Sequence, residues 1–357
     1  MILISSNIRV KRYNRGVKQD PTQLLKILLE TDIPFQFVSL LGLPAIQSLA
    51  HTLDLPKPTI VAGNIIIGDV STCDVLLTSH LDELSFGFKY LAPGGGWLAP
   101  YHLYTPAKTK SELTIIGIRD QTVKTVGKGM LLDKEGNPFC ETSVHIEVGD
   151  RVVYHCPTII SENIISGKAI DDRVGVLISL FSLKELLNKG FNVALVLTDG
   201  EEHIPSGYFS RYFPHVLAYL KKNCEICFID GIYKEGLFTA GITELPDYAI
   251  TFPHSSYGKG YIVPPKTWGW LRDEIVPEAQ KMGIKVQICP VYYSRGDDWG
   301  LVTNPLTPNN IEGFFVSYGA WGDRGYEPPL SFDINSINNC VHFATFVIEK
   351  RILKENK

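Results

Sequence analysis

Three apolar runs in this sequence end in side chains that bind cations or transfer protons. Each run has the length and the aliphatic composition of a buried strand, and its polar residues follow directly. In chain order, those polar residues are His80, Asp82, Glu201, Glu202 and Asp230. The carboxyl ends of parallel strands meet at one crevice of an open α/β sheet, so we expect these side chains to form one polar cluster.

A fourth segment, 167–173, adds a carboxylate to the same cluster. Its sequence, GKAIDDR, stands just before apolar residues at helical spacing, which predicts Asp171 at the start of a helix. Negative charge is favoured at that end of a helix. We assign the neighbouring Asp172 a structural or supporting role, with a surface ion pair to Arg173 as the alternative.

The predicted cluster points to divalent metal. Five carboxylates and one imidazole cannot share a crevice unless cations neutralise them or they take up protons. Imidazole with carboxylate suits zinc, cobalt or manganese, and an acid shared by two ions would form a two-metal centre with the ions about 3.5–4 Å apart. Taken singly, Glu201 and Glu202 also suit an exposed turn, His80 a core histidine, and Asp230 a turn residue.

The composition is that of a globular protein with enough chain for two domains. Of its 357 residues, 45% are apolar and 20% charged, and the net charge is -4. Without a basic stripe, nucleic acid is not an expected partner. We also expect a cytoplasmic protein without membrane association, because no signal-peptide pattern and no run of about 18 apolar residues is present. Seven scattered cysteines argue against a disulfide framework.

Helices are predicted where apolar residues recur at helical spacing. One begins after Asp20 as N-cap, with Pro21 in its first position. Another is expected over 172–187, with Gly190 beyond its end. These helices alternate with strand-like runs, which is typical of an α/β domain.

The pattern changes between residues 89 and 162. Short strand-like runs with frequent turns replace the helices there, which is typical of a small barrel or sandwich. We therefore predict an α/β domain formed by 1–88 and 163–357 and interrupted by an inserted β-rich domain, 89–162. No helix follows the glycine run 94–96, so we interpret it as a loop crossing between the domains rather than a phosphate site.

These motifs resemble those of the TET-type dodecameric aminopeptidases, cocatalytic zinc metallopeptidases that include glutamyl aminopeptidases. Their order and spacing match over nearly the whole chain, with the β-rich insertion between the first two. The matching stretches are SHLDE at 79–83 with Gly87-Phe88, GKAIDDR at 167–173, Glu201-Glu202, Asp230, and GKG at 258–260. The resemblance implies a zinc-peptidase-like mixed sheet flanked by helices, and a small β-barrel or PDZ-like insertion that mediates assembly into a homo-oligomer.

The resemblance also implies a set of metal ligands. His80, Asp171 and Asp230 would hold one ion, while Asp171 would bridge to a second ion that also takes Glu202. The implied cofactors are two divalent ions, with zinc as the first choice and cobalt or manganese as alternatives.

Two further residues receive roles from the resemblance. Glu201 would be the general base that activates the bridging water, and Asp82 would orient the histidine ligand from behind. The implied reaction is hydrolysis of the first peptide bond of short peptides that carry a free N-terminus.

Two departures from the family pattern concern the second ion and the substrate pocket. The family supplies its last ligand as a His in a His-Ser-Pro setting, but this chain has Tyr326 there. Glu327 or Asp323 would coordinate instead, or the second ion is weakly held or absent. The family's Gly-Gly-Thr-Asp loop is also changed, so that Asp297 or Asp298 either lines the substrate pocket or is an exposed loop acid.

Three functions remain open at the level of sequence. The first is a metal-dependent aminopeptidase. The second keeps the two-metal chemistry but hydrolyses N-acyl amino acids or other amides. The third is a binding protein with the peptidase fold that has lost catalysis together with its last ligand.

Overall fold

The computed structural model confirms an α/β architecture with a mixed sheet and a separate small closed β-barrel. The residues that the structure describes are 20–100, 110–202, 213–221, 223–233, 248–252, 254–255, 260–261, 263–289, 312–322 and 327–355. No helix in these ranges is long and apolar enough to cross a membrane.

The strands of the described ranges are numbered in chain order. They are β1 (Thr59–Val61), β2 (Asn64–Ile67), β3 (Val75–His80), β4 (Ser85–Ala92), β5 (Gly95–Ala99), β6 (Ser111–Arg119), β7 (Thr122–Lys134), β8 (Asn137–Glu141), β9 (Arg151–Tyr154), β10 (Ile159–Ser161), β11 (Ile164–Gly167), β12 (Val193–Thr198), β13 (Glu225–Tyr233), β14 (Ala249–Thr251), β15 (His254–Ser255), β16 (Gly260–Tyr261), β17 (Val286–Ile288), β18 (Gly313–Trp321) and β19 (Leu330–Asp333).

The helices of the same ranges include two short π-helical segments. They are α1 (Pro21–Leu29), a π-helix (Val38–Gly42), α2 (Leu43–Leu53), α3 (Ile170–Asn188), α4 (Phe213–Leu217), α5 (Pro265–Trp270), a second π-helix (Leu271–Ile275), α6 (Val276–Lys281) and α7 (Ser336–Glu355).

The two helices predicted from capping patterns are confirmed. The Asp20 carboxylate accepts a hydrogen bond from the backbone N–H of Thr22 at 3.0 Å, as an N-cap does. Helix α3 lies close to its predicted limits, and Gly190 beyond it has a φ of +84°. Most of α3 is buried, because it packs against β3, β13 and α7.

The main sheet has eleven strands, in the order β1-β2-β12-β3-β13-β18-β19-β11-β10, with β14 beside β18 and β17 beside β14. Strand β3 runs parallel to both β12 and β13. Thr198 of β12 lies opposite His80, and Phe228 of β13 lies opposite Thr78. The carboxyl ends of these three strands therefore meet at one edge of the sheet, which is where ligands bind in such sheets.

The barrel closes through the strand order β4-β5-β8-β7-β6-β9 and has its own apolar core. Its strands run from Ser85 to Tyr154, and β10, which follows, already belongs to the main sheet. The domain limits given from the sequence, 1–88 and 163–357 around 89–162, stay a prediction.

The glycine run 94–96 does not cross between domains, so that interpretation is wrong. It lies at the hairpin between β4 and β5, inside the barrel, where Gly95 pairs with Glu141 of β8. A Cβ built on Gly95 would lie 1.9 Å from the carbonyl oxygen of Cys140. Two strand backbones meet so closely here that only glycine fits.

Gly95→Ala is expected to lower the free energy of unfolding by about 3 kcal/mol or more, because the methyl group meets backbone that cannot give way. Gly94→Ala is the matched control. Gly94 has a φ of +79° and no atom within 4 Å of its Cβ position, so we expect a loss of about 1 kcal/mol there. Thermal unfolding followed by circular dichroism measures both, and equal losses at the two positions would contradict the close approach.

Candidate metal centre

His80, at the end of β3, lies at the centre of the predicted cluster and is 3% exposed. Its Nε2 atom is 3.0 Å from Oδ1 of Asp171, 3.9 Å from Oε2 of Glu201 and 4.0 Å from Oδ1 of Asp230. Each of these acids comes from a different segment: the start of α3, the loop after β12, and β13. The sheet order thus brings together residues that are up to 150 positions apart in the sequence.

Two groups of side chains in the described ranges are close enough to share a metal ion. His80 with Glu201 and Glu202 forms one group, and His80 with Asp171 and Asp230 forms the other. Within each group, one ligand atom from every residue lies within 4.8 Å of the others. One imidazole nitrogen with carboxylate oxygens is a donor set that zinc, cobalt or manganese accepts, so the residues present fit a divalent ion.

The electrostatics of the cluster favour a bound cation. Burial lowers the pKa of His80, but the hydrogen bond and charge of Asp171 and the charges of Asp172 and Glu202 outweigh it, and the pKa lies well above its usual value. Desolvation, followed by the charges of Asp171 and Asp172, raises the pKa of Asp230 well above its usual value, although 24% of that side chain is exposed. Without cations these buried charges favour proton uptake, and a divalent ion would relieve the same repulsion.

Asp82 supports this cluster in two ways. Its fully buried carboxylate accepts hydrogen bonds from the backbone N–H of Glu201 at 3.2 Å and of Glu202 at 3.1 Å. Its backbone carbonyl oxygen lies 3.2 Å from Nδ1 of His80, and its Oδ1 lies 3.7 Å away. An outer partner on the second ring nitrogen is the usual way in which a metal-binding histidine is oriented. The sequence did not indicate the hydrogen bonds that Asp82 accepts from the backbone of residues 201 and 202.

Asp172 connects three elements behind the cluster. Its Oδ2 accepts from the His80 backbone N–H at 3.2 Å, and its Oδ1 accepts from the Gly175 backbone N–H at 3.1 Å and from the Tyr318 hydroxyl at 2.9 Å. Asp172 and Arg173 are both fully buried, so the alternative of a surface ion pair is wrong. The contact of Tyr318 with Asp172 was not predicted from the sequence. Its one indication there is a hydroxyl group within the apolar run of β18.

Asp199 is a second buried acid that sequence reasoning missed. It stands directly after β12, is 1% exposed, and accepts a hydrogen bond from the Gln36 backbone N–H at 3.0 Å. Burial, followed by the charge of Asp82, raises its pKa to about 8. Its place two residues before Glu201 was the only indication in the sequence.

A small pocket opens beside Asp171 and Glu202. Tyr154 brings the barrel to its wall, so the pocket lies between the barrel and the main sheet. The remaining lining residues are Glu83, Leu84, Lys168, Ala169, Pro328 and Leu330.

Several predicted residues lie outside the described ranges, namely Tyr326, Asp323, Asp297, Asp298, Gly258 and Lys259. Glu327 is described and is 6% exposed, next to Pro328 of the pocket wall. It belongs to neither of the two groups that share His80. Coordination by Glu327 stays a prediction.

A family model for M42 glutamyl aminopeptidases matches residues 120–204. The matched stretch runs from the barrel through Asp171 to Glu201 and Glu202. No curated protein matches the sequence.

Solved structures of aminopeptidases share the fold over most of their length. A TET aminopeptidase from a marine sediment archaeon of the Thaumarchaeota superimposes with a TM-score of 0.73 at 13% identity, covering 92% of this chain and 95% of that one. An aminopeptidase from the archaeon Desulfurococcus kamchatkensis gives a TM-score of 0.70 at 18% identity, with coverage of 92% and 94%. The Pyrococcus horikoshii TET1 peptidase gives 0.68 at 11% identity, with coverage of 92% and 99%.

At these identities the structural likeness shows the fold. The family model adds a sequence match across two of the segments that carry the cluster. The resemblance found in the sequence is thereby confirmed: the family model for M42 glutamyl aminopeptidases and the fold of the TET aminopeptidases both support it.

Proposed function

We propose that this protein is a metal-dependent aminopeptidase that releases N-terminal residues from short peptides with a free N-terminus. The M42 family match and the aminopeptidase fold support a peptidase. The observation that carries the proposal is the buried set of donors around His80, which fits divalent ions and adjoins a pocket. A peptidase of this kind needs such a centre.

In this proposal the cluster divides into two ligand sets. His80, Asp171 and Asp230 would hold one ion, and Asp171 and Glu202 would hold a second. The short distance from His80 Nε2 to Asp171 and the grouping with Asp230 support the first set. The position of Asp171 and Glu202 in one pocket wall supports the second. Bound cations of this kind lower the pKa of a water molecule and polarise a scissile carbonyl.

Glu201 would act as the general base, with its carboxylate taking a proton from water and passing it to the leaving amine. Its backbone is fixed through Asp82, and its carboxylate lies 3.9 Å from His80 Nε2, next to the predicted ligands. The Glu201 side chain is 10% exposed, whereas the Asp82 side chain is fully buried. This supports a proton-transfer role for Glu201 and a positioning role for Asp82.

The native metal and the assembly belong to the same proposal. Zinc is the first choice, with cobalt or manganese as alternatives that the donor set also accepts. We propose a cytoplasmic homo-oligomer. The Pyrococcus horikoshii TET1 peptidase, which shares the fold, can assemble into a tetrahedron or a large octahedral shell.

The test uses the purified full chain with its metal content measured by plasma emission. After loading with Zn²⁺, Co²⁺ or Mn²⁺, it is given matched peptides that carry either a free or an acetylated N-terminus. We expect stepwise release of N-terminal residues from the free peptides only, loss of release after chelation, and recovery when the metal is returned. Cleavage of the acetylated peptides alone would favour the N-acyl amino acid hydrolase. A chain that holds no metal after zinc loading would favour the binding protein.

A further inference from the structure

Glu83 follows the predicted histidine ligand by three residues and lies outside both ligand groups. It is 2% exposed, and its carboxylate has three partners from two other segments. Oε1 accepts from the Ile33 backbone N–H at 2.7 Å. The ammonium of Lys168 lies 3.0 Å from Oε2 and 3.1 Å from Oε1, and Nη2 of Arg173 lies 3.8 Å from Oε1.

The two cationic residues of this network, Lys168 and Arg173, flank a predicted metal ligand in the sequence. Lys168 precedes Asp171 by three residues, and Arg173 follows it by two. Glu83 therefore joins the segment that carries His80 to the segment that carries Asp171. These two segments supply the two predicted ligands that meet in the contact between His80 Nε2 and Asp171 Oδ1.

The charges of the network balance. Lys168 is 4% exposed and pairs with Asp32 as well as with Glu83. Arg173 is fully buried, and its Nε and Nη2 atoms have no hydrogen-bond partner. Glu83, whose Oε1 lies 3.8 Å from Nη2, is its counter-ion. Two cations and two carboxylates thus neutralise one another, and of the four only Asp32 is partly exposed.

Lys168 also lines the pocket together with Asp171 and Glu202. A buried lysine ammonium that loses one of its two counter-ions is drawn toward other carboxylates of the same pocket, because an unbalanced buried charge is costly. Beyond the network, the acids that line this pocket are Asp171 and Glu202, two of the predicted metal ligands. Without Glu83, Lys168 would therefore compete with metal for them.

We propose that Glu83 is a positioning residue that keeps Lys168 paired, so that Lys168 does not compete with cations for Asp171 and Glu202. This inference rests on the proposed function, since it presumes that these carboxylates bind metal. Partners one step removed from the metal commonly change its affinity by about 10- to 100-fold when they are replaced.

The test compares metal affinity in the full chain with Co²⁺ as the probe, by its visible absorption and by titration calorimetry. Glu83→Gln is expected to weaken Co²⁺ binding by at least about tenfold. The double variant Glu83→Gln/Lys168→Met is expected to recover most of that loss, because the competing ammonium is gone. A merely structural role for Glu83 predicts instead that the double variant binds no better than the single one, and this result would overturn the inference.

Glu225→Gln is the matched control. Glu225 is 5% exposed and pairs with Arg351, with Oε2 2.5 Å from Nε, at the start of β13, five residues before Asp230. We expect a lower unfolding temperature for this variant without a change in the Co²⁺ spectrum or affinity. An equal loss of Co²⁺ affinity in the control would also overturn the inference.

Asp32→Asn is the second variant if Glu83→Gln does not fold. This substitution removes the charge of Asp32, the other counter-ion of Lys168. The Asp32 side chain is 29% exposed, and we expect weaker Co²⁺ binding in this variant too. If a folded Asp32→Asn or Glu83→Gln variant binds Co²⁺ as tightly as wild type, the inference is overturned but the proposed function is not. Wild-type protein that binds no Co²⁺ overturns the proposed function itself.

Discussion

Replacement of Glu201 by Gln is expected to lower kcat for N-terminal residue release by about 10²- to 10⁴-fold, while the protein keeps its metal. The amide has the shape of the carboxylate but cannot accept the proton from water. The loop should stay in place, because Asp82 holds it through the backbone N–H of Glu201 and Glu202 rather than through their side chains. Steady-state kinetics and metal content, measured on the same preparation, give both quantities.

Glu112→Gln is the control for this change, since it neutralises a glutamate on the barrel surface that pairs with Lys128. We expect no effect on kcat or on metal content there. Two results for Glu201→Gln would contradict the assignment. Activity within tenfold of wild type would remove Glu201 as the base. Loss of bound metal together with activity would make Glu201 a ligand, which its grouping with His80 and Glu202 also allows.

The cluster around His80 was predictable because two local patterns and one general rule determine it. Apolar runs mark the strands, the acids follow them directly, and parallel strands present their carboxyl ends at one edge. The N-cap at Asp20 was predictable for the same reason, since a cap depends on its immediate neighbours. The residue types also limited the chemistry to metal binding or proton uptake.

The supporting contacts were not predictable, because they join segments far apart in the chain. Asp172 and Tyr318 are 146 residues apart, and Glu83 and Lys168 are 85 apart. Nothing in the local sequence distinguishes the buried Asp172 from a surface acid beside Arg173. Only the packing of α3 on the sheet does so, and that packing also explains why the surface alternative was wrong.

The barrel shows the same limit at the level of topology. Its short strands and turns were evident, but the pairing of β5 with β8 and of β4 with β9 depends on contacts across the inserted segment. The interpretation of the 94–96 run failed at this point. A glycine that serves a close strand approach and one that serves a loop look the same until its partner, here Cys140, is known.

Replacement of Asp171 by Asn is expected to have the largest effect, because Asp171 is the ligand proposed to contact both ions. A neutral amide is a poor bridge, so we expect metal content to fall below one ion per chain and activity to fall by more than about 10³-fold. Plasma emission and kinetics measure these. Asp54→Asn, at an exposed position in the left-handed conformation that Asn also accepts, is the control that should change neither.

The same substitution should affect the metal-free protein much less. Desolvation and the Asp171 charge both raise the pKa of Asp230 and of Asp172, so removal of that charge relieves repulsion, but it also removes the 3.0 Å contact with His80 Nε2. These two effects oppose each other, so we expect metal-free Asp171→Asn to unfold close to the temperature of metal-free wild type. Added Zn²⁺ should raise the unfolding temperature of wild type only, because only the form that binds metal gains stability from it. If Zn²⁺ stabilises the variant as much as wild type, Asp171 does not hold the ions, and the assignment built around His80 fails with it.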